Sequence, residues 1–277
     1  MDRLTTSISN PFYDKIFFTA PIDYIISSYI REYDIRKANA NILFMKGAIS
    51  KEKYDHLLNL DSNSRYIEVG LLQKDNPDIS TCLKEGIKEM RHLFLTSNNL
   101  TSNDILSIKN DAVFLINKIP MITKFGNIEF VNKNVYTSFY KLSGGKIEIY
   151  YLYDMVNNIE HIDIKGIKDW KIVQHKDYFL EFLLVLFNSA QIESLKDTID
   201  ILITFYESYL KLELDIGYYR QFDAESLFSI KRFGVSSIYK ADFLGEESKE
   251  YLDISYNLNI LRELVGIFAT VQDKKKR

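Results

Sequence analysis

The sequence predicts an α+β fold: an antiparallel sheet backed by helices over residues 1–175, then a mainly helical part over residues 176–277. Three observations predict it. Short apolar runs between 105 and 164 are separated by turn signals such as Asn110-Asp111 and Ser143-Gly144-Gly145. Apolar residues at helical spacing occupy 36–98 and return after 176. The composition, 46% hydrophobic and 26% charged over 277 residues, supplies ample core.

The elements follow in order. The run Ile22 to Ile30 leads into Arg31-Glu32-Tyr33-Asp34-Ile35, and 30–35 reads as the end of a strand. Ala38, Ile42 and Met45 then fall at helical spacing. Ser50 is an N-cap for a helix to Leu60, because its hydroxyl can accept an amide of the first turn. Asp61–Ser64 reads as a turn, 65–73 as a helix and 75–78 as a loop. Leu83, Ile87, Met90, Leu93 and Phe94 make one stripe of a long helix over 79–98. Residues 105–108 and 112–116 pair as a hairpin around Lys109-Asn110-Asp111. Strands follow at Ile128–Val131, Val135–Leu142 and Ile147–Tyr153, with a short one at Ile162–Ile164. Helices are expected over Phe179–Asn188, Leu195–Leu214 and Ile254–Val271, before a basic tail.

Charge and cysteine usage exclude several functions. The chain has 35 basic and 38 acidic residues, net −3, so it is no polybasic nucleic-acid coat. Cys82 is its one cysteine and cannot form an internal disulfide, and the four histidines show no zinc-ligand spacing. The start lacks an apolar signal core. The longest apolar stretch, Tyr178 to Phe187, is too short to span a bilayer. A soluble cytoplasmic protein with no membrane partner is expected, in the host cytoplasm if the source is viral.

Asp34 ends a strand just before a helix, and Asp111 sits at a hairpin tip. Glu32 shares Asp34's face of the strand. If the two elements are neighbours, the carboxylates could share a divalent cation; taken locally, Asp34 is a helix cap and Asp111 a turn residue.

The order of segments adds to this. Residues 34–42, Asp-Ile-Arg-Lys-Ala-Asn-Ala-Asn-Ile, resemble the first palm motif of family B DNA polymerases, Asp-x-x-Ser-Leu-Tyr-Pro-Ser-Ile. Residues 105–115 resemble the family's palm hairpin, with Asp111 on its second aspartate and Lys109 in place of the first. Lys133-Asn134-Val135-Tyr136 resembles the Lys-Lys-x-Tyr strand motif, and Asp163-Ile164-Lys165-Gly166 the Asp-x-Lys-Gly element. The resemblance covers roughly residues 30–175. It implies a palm with minimal fingers at about 46–98 and a thumb-like region over 176–277. Only 77 positions separate Asp34 from Asp111, and the family's finger motif survives at most as Arg65-Tyr66-Ile67-Glu68-Val69-Gly70. About thirty residues precede the palm, too few for a proofreading exonuclease, which suits a phage or mobile-element enzyme.

The resemblance implies the site. Asp34, Asp111 and the Ile35 carbonyl would bind Mg²⁺ or Mn²⁺. Arg36, Lys37, Asn39, Arg65, Lys84 and Lys88 would bind a nucleoside triphosphate, with Arg91 completing one helical face with Lys84 and Lys88. Asn39 replaces the tyrosine that excludes ribonucleotides, so ribonucleotide tolerance is expected; as a plain residue it packs in a helix. Lys109, Lys133, Tyr136 and Lys165 would contact a DNA or RNA primer-template, with Lys231, Arg232 and the basic tail as further phosphate contacts. Three readings stand: a template-dependent polymerase or primase; a palm-derived accessory protein in phage or plasmid replication that has lost catalysis, suggested by Lys109; and an unrelated α+β interaction protein.

Overall fold

The computed structural model describes residues 15–167, 178–215, 218 and 254–275. Within them the chain forms two compact units, one from residues 15–21 and 29–135, the other from 22–28 and 136 onward. The expected α+β class is what the structure has: two sheets, whose assigned strand pairs are antiparallel, with helices packed on them.

In the first unit six strands run in the order β1-β4-β5-β3-β7-β6. They are β1 (Phe17–Thr19), β3 (Ile30–Ile35), β4 (Ile105–Lys109), β5 (Ala112–Ile116), β6 (Lys124–Phe125) and β7 (Ile128–Tyr136), whose last residue belongs to the second unit. β3 lies between β5 and β7, so the strand carrying Asp34 is the hairpin's immediate neighbour. Tyr33 is opposite Val113, and the β4–β5 pairing closes at Lys109–Ala112, which puts Asn110 and Asp111 at the tip. Asn110 takes φ of 57°, a left-handed turn position that asparagine tolerates well.

Four helices sit between β3 and β4: α1 (Ala38–Met45), α2 (Lys51–Asn59), α3 (Ser62–Asp75) and α4 (Asp78–Ser97). Ser50 caps α2 as expected, its side chain accepting the Lys53 amide. The expected turn at 61–64 is instead the start of α3: Asp61 accepts the Ser64 amide, so the Asp-Ser-Asn-Ser cluster caps rather than breaks. The core gathers Ile42, Leu83, Ile87, Met90, Phe94, Ile108, Val113 and Phe130, with Phe94 stacked on Phe130 at 4.2 Å.

The second unit holds β2 (Tyr24–Ile25), β8 (Ser138–Leu142), β9 (Ile147–Asp154) and β10 (Ile159–Lys165), ordered β10-β9-β8-β2. One face packs on α5 (Phe179–Ile192), α6 (Leu195–Leu210) and α7 (Ile254–Lys275). Tyr140 stacks on Phe187 at 4.2 Å. The strand boundaries near 131–142 differ from expectation. β7 runs unbroken through Asn132-Lys133-Asn134, and the break falls at Thr137, whose amide donates to the Tyr151 carbonyl. β10 is also longer than the expected Ile162–Ile164, since pairing with β9 carries Glu160 and His161 along. No helix among the described residues is long and apolar enough to cross a membrane.

A candidate metal and nucleotide cleft

Asp34 and Asp111 meet. A cleft of about 180 Å³ is lined by Asp34 and Ile35 at the end of β3, and by Lys37, Ala38 and Asn39 entering α1. Ser62, Arg65 and Tyr66 of α3, Asp111 of the hairpin tip and Lys133 of β7 complete it. The entry to α1 is built locally. Lys37 adopts a left-handed conformation, φ 49°, and the buried Asn41 donates to the Arg36 carbonyl at 2.6 Å. Asn41 is itself held by the Tyr54 hydroxyl at 2.7 Å.

The two carboxylates have different surroundings. Burial, and next the Asp34 charge, push the Asp111 carboxyl up to about 7; nearby Lys133 works the other way. Asp34 Oδ2 faces the Lys133 ammonium at 3.4 Å, while Asp34 Oδ1 is buried with no hydrogen-bond partner. Partial burial opposes the Lys133 charge, but Asp34 and Glu32 outweigh it and hold the ammonium above its ordinary value. Glu32 is buried and accepts from Asn134 Nδ2 at 2.6 Å, beside the cleft rather than in its lining.

These residues fit a hard divalent cation. Asp34 Oδ1 has no partner, Asp111 resists ionisation beside a second carboxylate, and the Ile35 backbone is at hand. Two carboxylates and a carbonyl leave several positions for water and phosphate, which is how Mg²⁺ is commonly held. Among the described residues no three His, Cys, Asp or Glu side chains converge, so a cation here would take water or other oxygens for the rest of its shell.

The expected nucleotide contacts divide. Lys37, Asn39 and Arg65 line the cleft. Lys37 donates to the Leu58 carbonyl at 2.6 Å, and Arg65 closes the end of α2 by donating to Leu57 and Leu60 carbonyls at 3.0 and 2.7 Å. Arg36 is exposed and paired with Glu129 at 3.3 Å, outside the lining. Lys84 and Lys88 lie on α4, also outside it. Arg91 does not share their solvent face. It is fully buried, and its guanidinium donates to the backbone carbonyls of Asn110 and Lys15. Ile87 and Phe94, one turn to either side, put Arg91 on the core stripe, a spacing visible in the sequence.

Of the expected nucleic-acid contacts, Lys133 reaches the cleft, and Lys109 donates to Thr19 Oγ1 at 3.2 Å. In the second unit Tyr136 is wholly buried, tilted against Tyr150 and donating to Asp163 Oδ2 at 2.9 Å. Lys165 pairs with the same carboxylate at 2.6 Å. Burial removes Tyr136 from any ligand surface, so its role is to tie β7 to β10. Lys231 and Arg232 lie outside the described residues. Sequence reasoning did not single out Ser62 or the exposed Tyr66 as cleft residues; the Asp61 cap that starts α3 one turn early was the signal for Ser62.

A family profile described as Bacteriophage PBS1 gene 130 protein matches residues 7–270. The chain belongs to this bacteriophage family. Membership agrees with a phage origin, one of the two, phage or mobile element, expected from the sequence. No curated protein matches the chain.

Proposed function

We propose that the cleft binds a nucleoside triphosphate with a divalent cation, and that the chain is a palm-type, template-dependent nucleotidyltransferase acting in phage replication. One observation carries this reading: Asp34 and Asp111, 77 positions apart, wall the same cleft, and an oxygen of Asp34 is buried there with no partner. Further support comes from Lys37, Arg65 and Lys133, from the Asn39 amide and from the hydroxyl-bearing Ser62 and Tyr66 in the same lining, the chemistry of a phosphate and ribose site.

Mg²⁺ or Mn²⁺ held by Asp34, Asp111 and the Ile35 carbonyl would supply charge stabilisation at phosphoryl oxygens. The chain's own groups do the rest. Asp34 and Asp111 fix where that charge sits. Lys133, already turned toward Asp34, is the cation best placed to follow a phosphate. Asn39 offers an amide, smaller than a tyrosine, toward a sugar hydroxyl, which suits ribonucleotides.

A second reading keeps binding and drops turnover. It is favoured by a specific observation: Lys37 and Arg65 are committed to backbone carbonyls and Lys133 to Asp34, so few cations are left to offset a triphosphate. Incubation with Mg²⁺ or Mn²⁺, primed and unprimed templates, and labelled dNTPs or NTPs separates the two. Incorporation that disappears in both Asp34→Ala and Asp111→Ala supports the enzyme, and NTP use without primer makes it a primase. Incorporation unchanged in both variants sinks the assignment. A folded protein that binds nucleotide without incorporating it is the accessory protein.

A further inference from the structure

We propose that Arg91 is a positioning residue for Asp111, and that α4 is the common strut setting the separation of the two carboxylates. This rests on the reading of Asp34 and Asp111 as a metal pair. Arg91 lies 20 residues before Asp111, is wholly buried, and reaches the back of the hairpin turn. One nitrogen of its guanidinium donates to the carbonyl of Asn110, the residue next to Asp111; another donates to the carbonyl of Lys15. The Asn110 amide in turn donates to Ile16 at 2.8 Å. The turn is thus tied, through the carbonyl and the amide of Asn110, to residues 15 and 16, which lead into β1. A planar fork suits two such carbonyls at once; an ammonium has the charge but not the geometry.

The other end of the strut holds Asp34. α1 begins four residues after Asp34 and crosses α4 at Gly86. A Cβ on Gly86 would lie 2.4 Å from Cγ2 of Ile42, a buried and rotationally stiff side chain. The Lys46–Glu89 pair at 2.5 Å clamps the same crossing. One helix therefore carries both contacts, Gly86 toward the Asp34 side and Arg91 toward the Asp111 side. A buried arginine is costly unless its donors are used. Here one nitrogen is spent on the turn that bears the second carboxylate and another on the Lys15 carbonyl beside it.

The test compares the full chain with R91K, R91M and G86A. Mn²⁺ binding is followed by electron paramagnetic resonance, and amide exchange in the 105–116 hairpin by mass spectrometry. In R91K, with circular dichroism unchanged, hairpin exchange rises at least tenfold and Mn²⁺ binds at least tenfold more weakly; R91M does the same. G86A leaves hairpin exchange unchanged but weakens Mn²⁺ at least fivefold, and it serves if the Arg91 variants fail to fold. Mn²⁺ affinity within twofold of the natural chain in R91K or in G86A overturns the strut. A natural chain that binds no Mn²⁺ overturns the metal reading, and this role for Arg91 with it.

Discussion

Asp111 is the residue on which the proposed chemistry turns, and its environment makes a prediction about stability. Its carboxyl titrates at about 7, against about 4 for an unperturbed aspartate, because burial and Asp34 oppose its charge. The folded state therefore holds this proton more tightly than the unfolded chain. Stability from this group is present at low pH, is lost as pH rises from about 4 to about 7, and the full cost stands above that. Asp111→Asn removes the cost. The variant should be more stable than the natural chain at pH 8 by on the order of 2 kcal/mol, and equal to it near pH 4. Denaturant melts at both pH values check this; a variant less stable at pH 8 would contradict it. Mn²⁺ should raise the melting temperature of the natural chain at pH 8 and leave Asp111→Asn unmoved.

At the scale of elements, caps and turns decide the framework that brings the site together. Ser50 accepts the Lys53 amide at the start of α2, so Ser50→Ala should cost about 1 kcal/mol in urea unfolding. Gly166 ends the Asp-x-Lys-Gly segment with φ of 94°, and a Cβ there would lie 1.9 Å from the Lys146 carbonyl oxygen. Gly166→Ala should cost at least about 2–3 kcal/mol, from the backbone conformation and the clash together. A urea midpoint equal to that of the natural chain would show that the loop can rearrange.

Much at this scale was legible in the sequence. The Asn-Asp tip between two apolar runs located the hairpin, and with it Asp111. The apolar stripe located α4, and Ser50 located α2. What escaped has physical reasons. β1, β2 and β6 are two or three residues long, so their existence depends on partners far along the chain. β7 continues through Asn132-Lys133-Asn134 because neighbouring strands, not local propensity, hold it. Arg91 matched the spacing of Lys84 and Lys88, yet it also matched that of Ile87 and Phe94. Burial followed the second pattern, where two of its nitrogens meet backbone carbonyls, one of Asn110 at the hairpin tip and one of Lys15.

For the whole molecule, the pairing that matters most was the least local. Asp34 and Lys133 are 99 positions apart, and only the placement of β3 between β5 and β7 brings Lys133 and Asp111 to the same carboxylate. The last of the chain's three passages between the units falls at the end of β7, inside a strand and without a turn or linker signal. Net charge also bears on the whole chain. With net −3 and few uncommitted cations in the cleft, primer-template binding should neutralise few phosphates. A plot of log affinity against log salt should have a slope no steeper than about −3, measured by fluorescence anisotropy. A slope near −6 would place the main contact on a different, more basic surface.

The most direct test of the central claim is Mn²⁺ binding, with and without a nucleoside triphosphate, in the natural chain, Asp34→Asn and Asp111→Asn. One cation, held by both carboxylates and bound more tightly with triphosphate present, is expected. Either substitution should weaken it at least tenfold, and the two together little more than one. Independent, additive losses, or binding that survives both substitutions, would contradict a shared site.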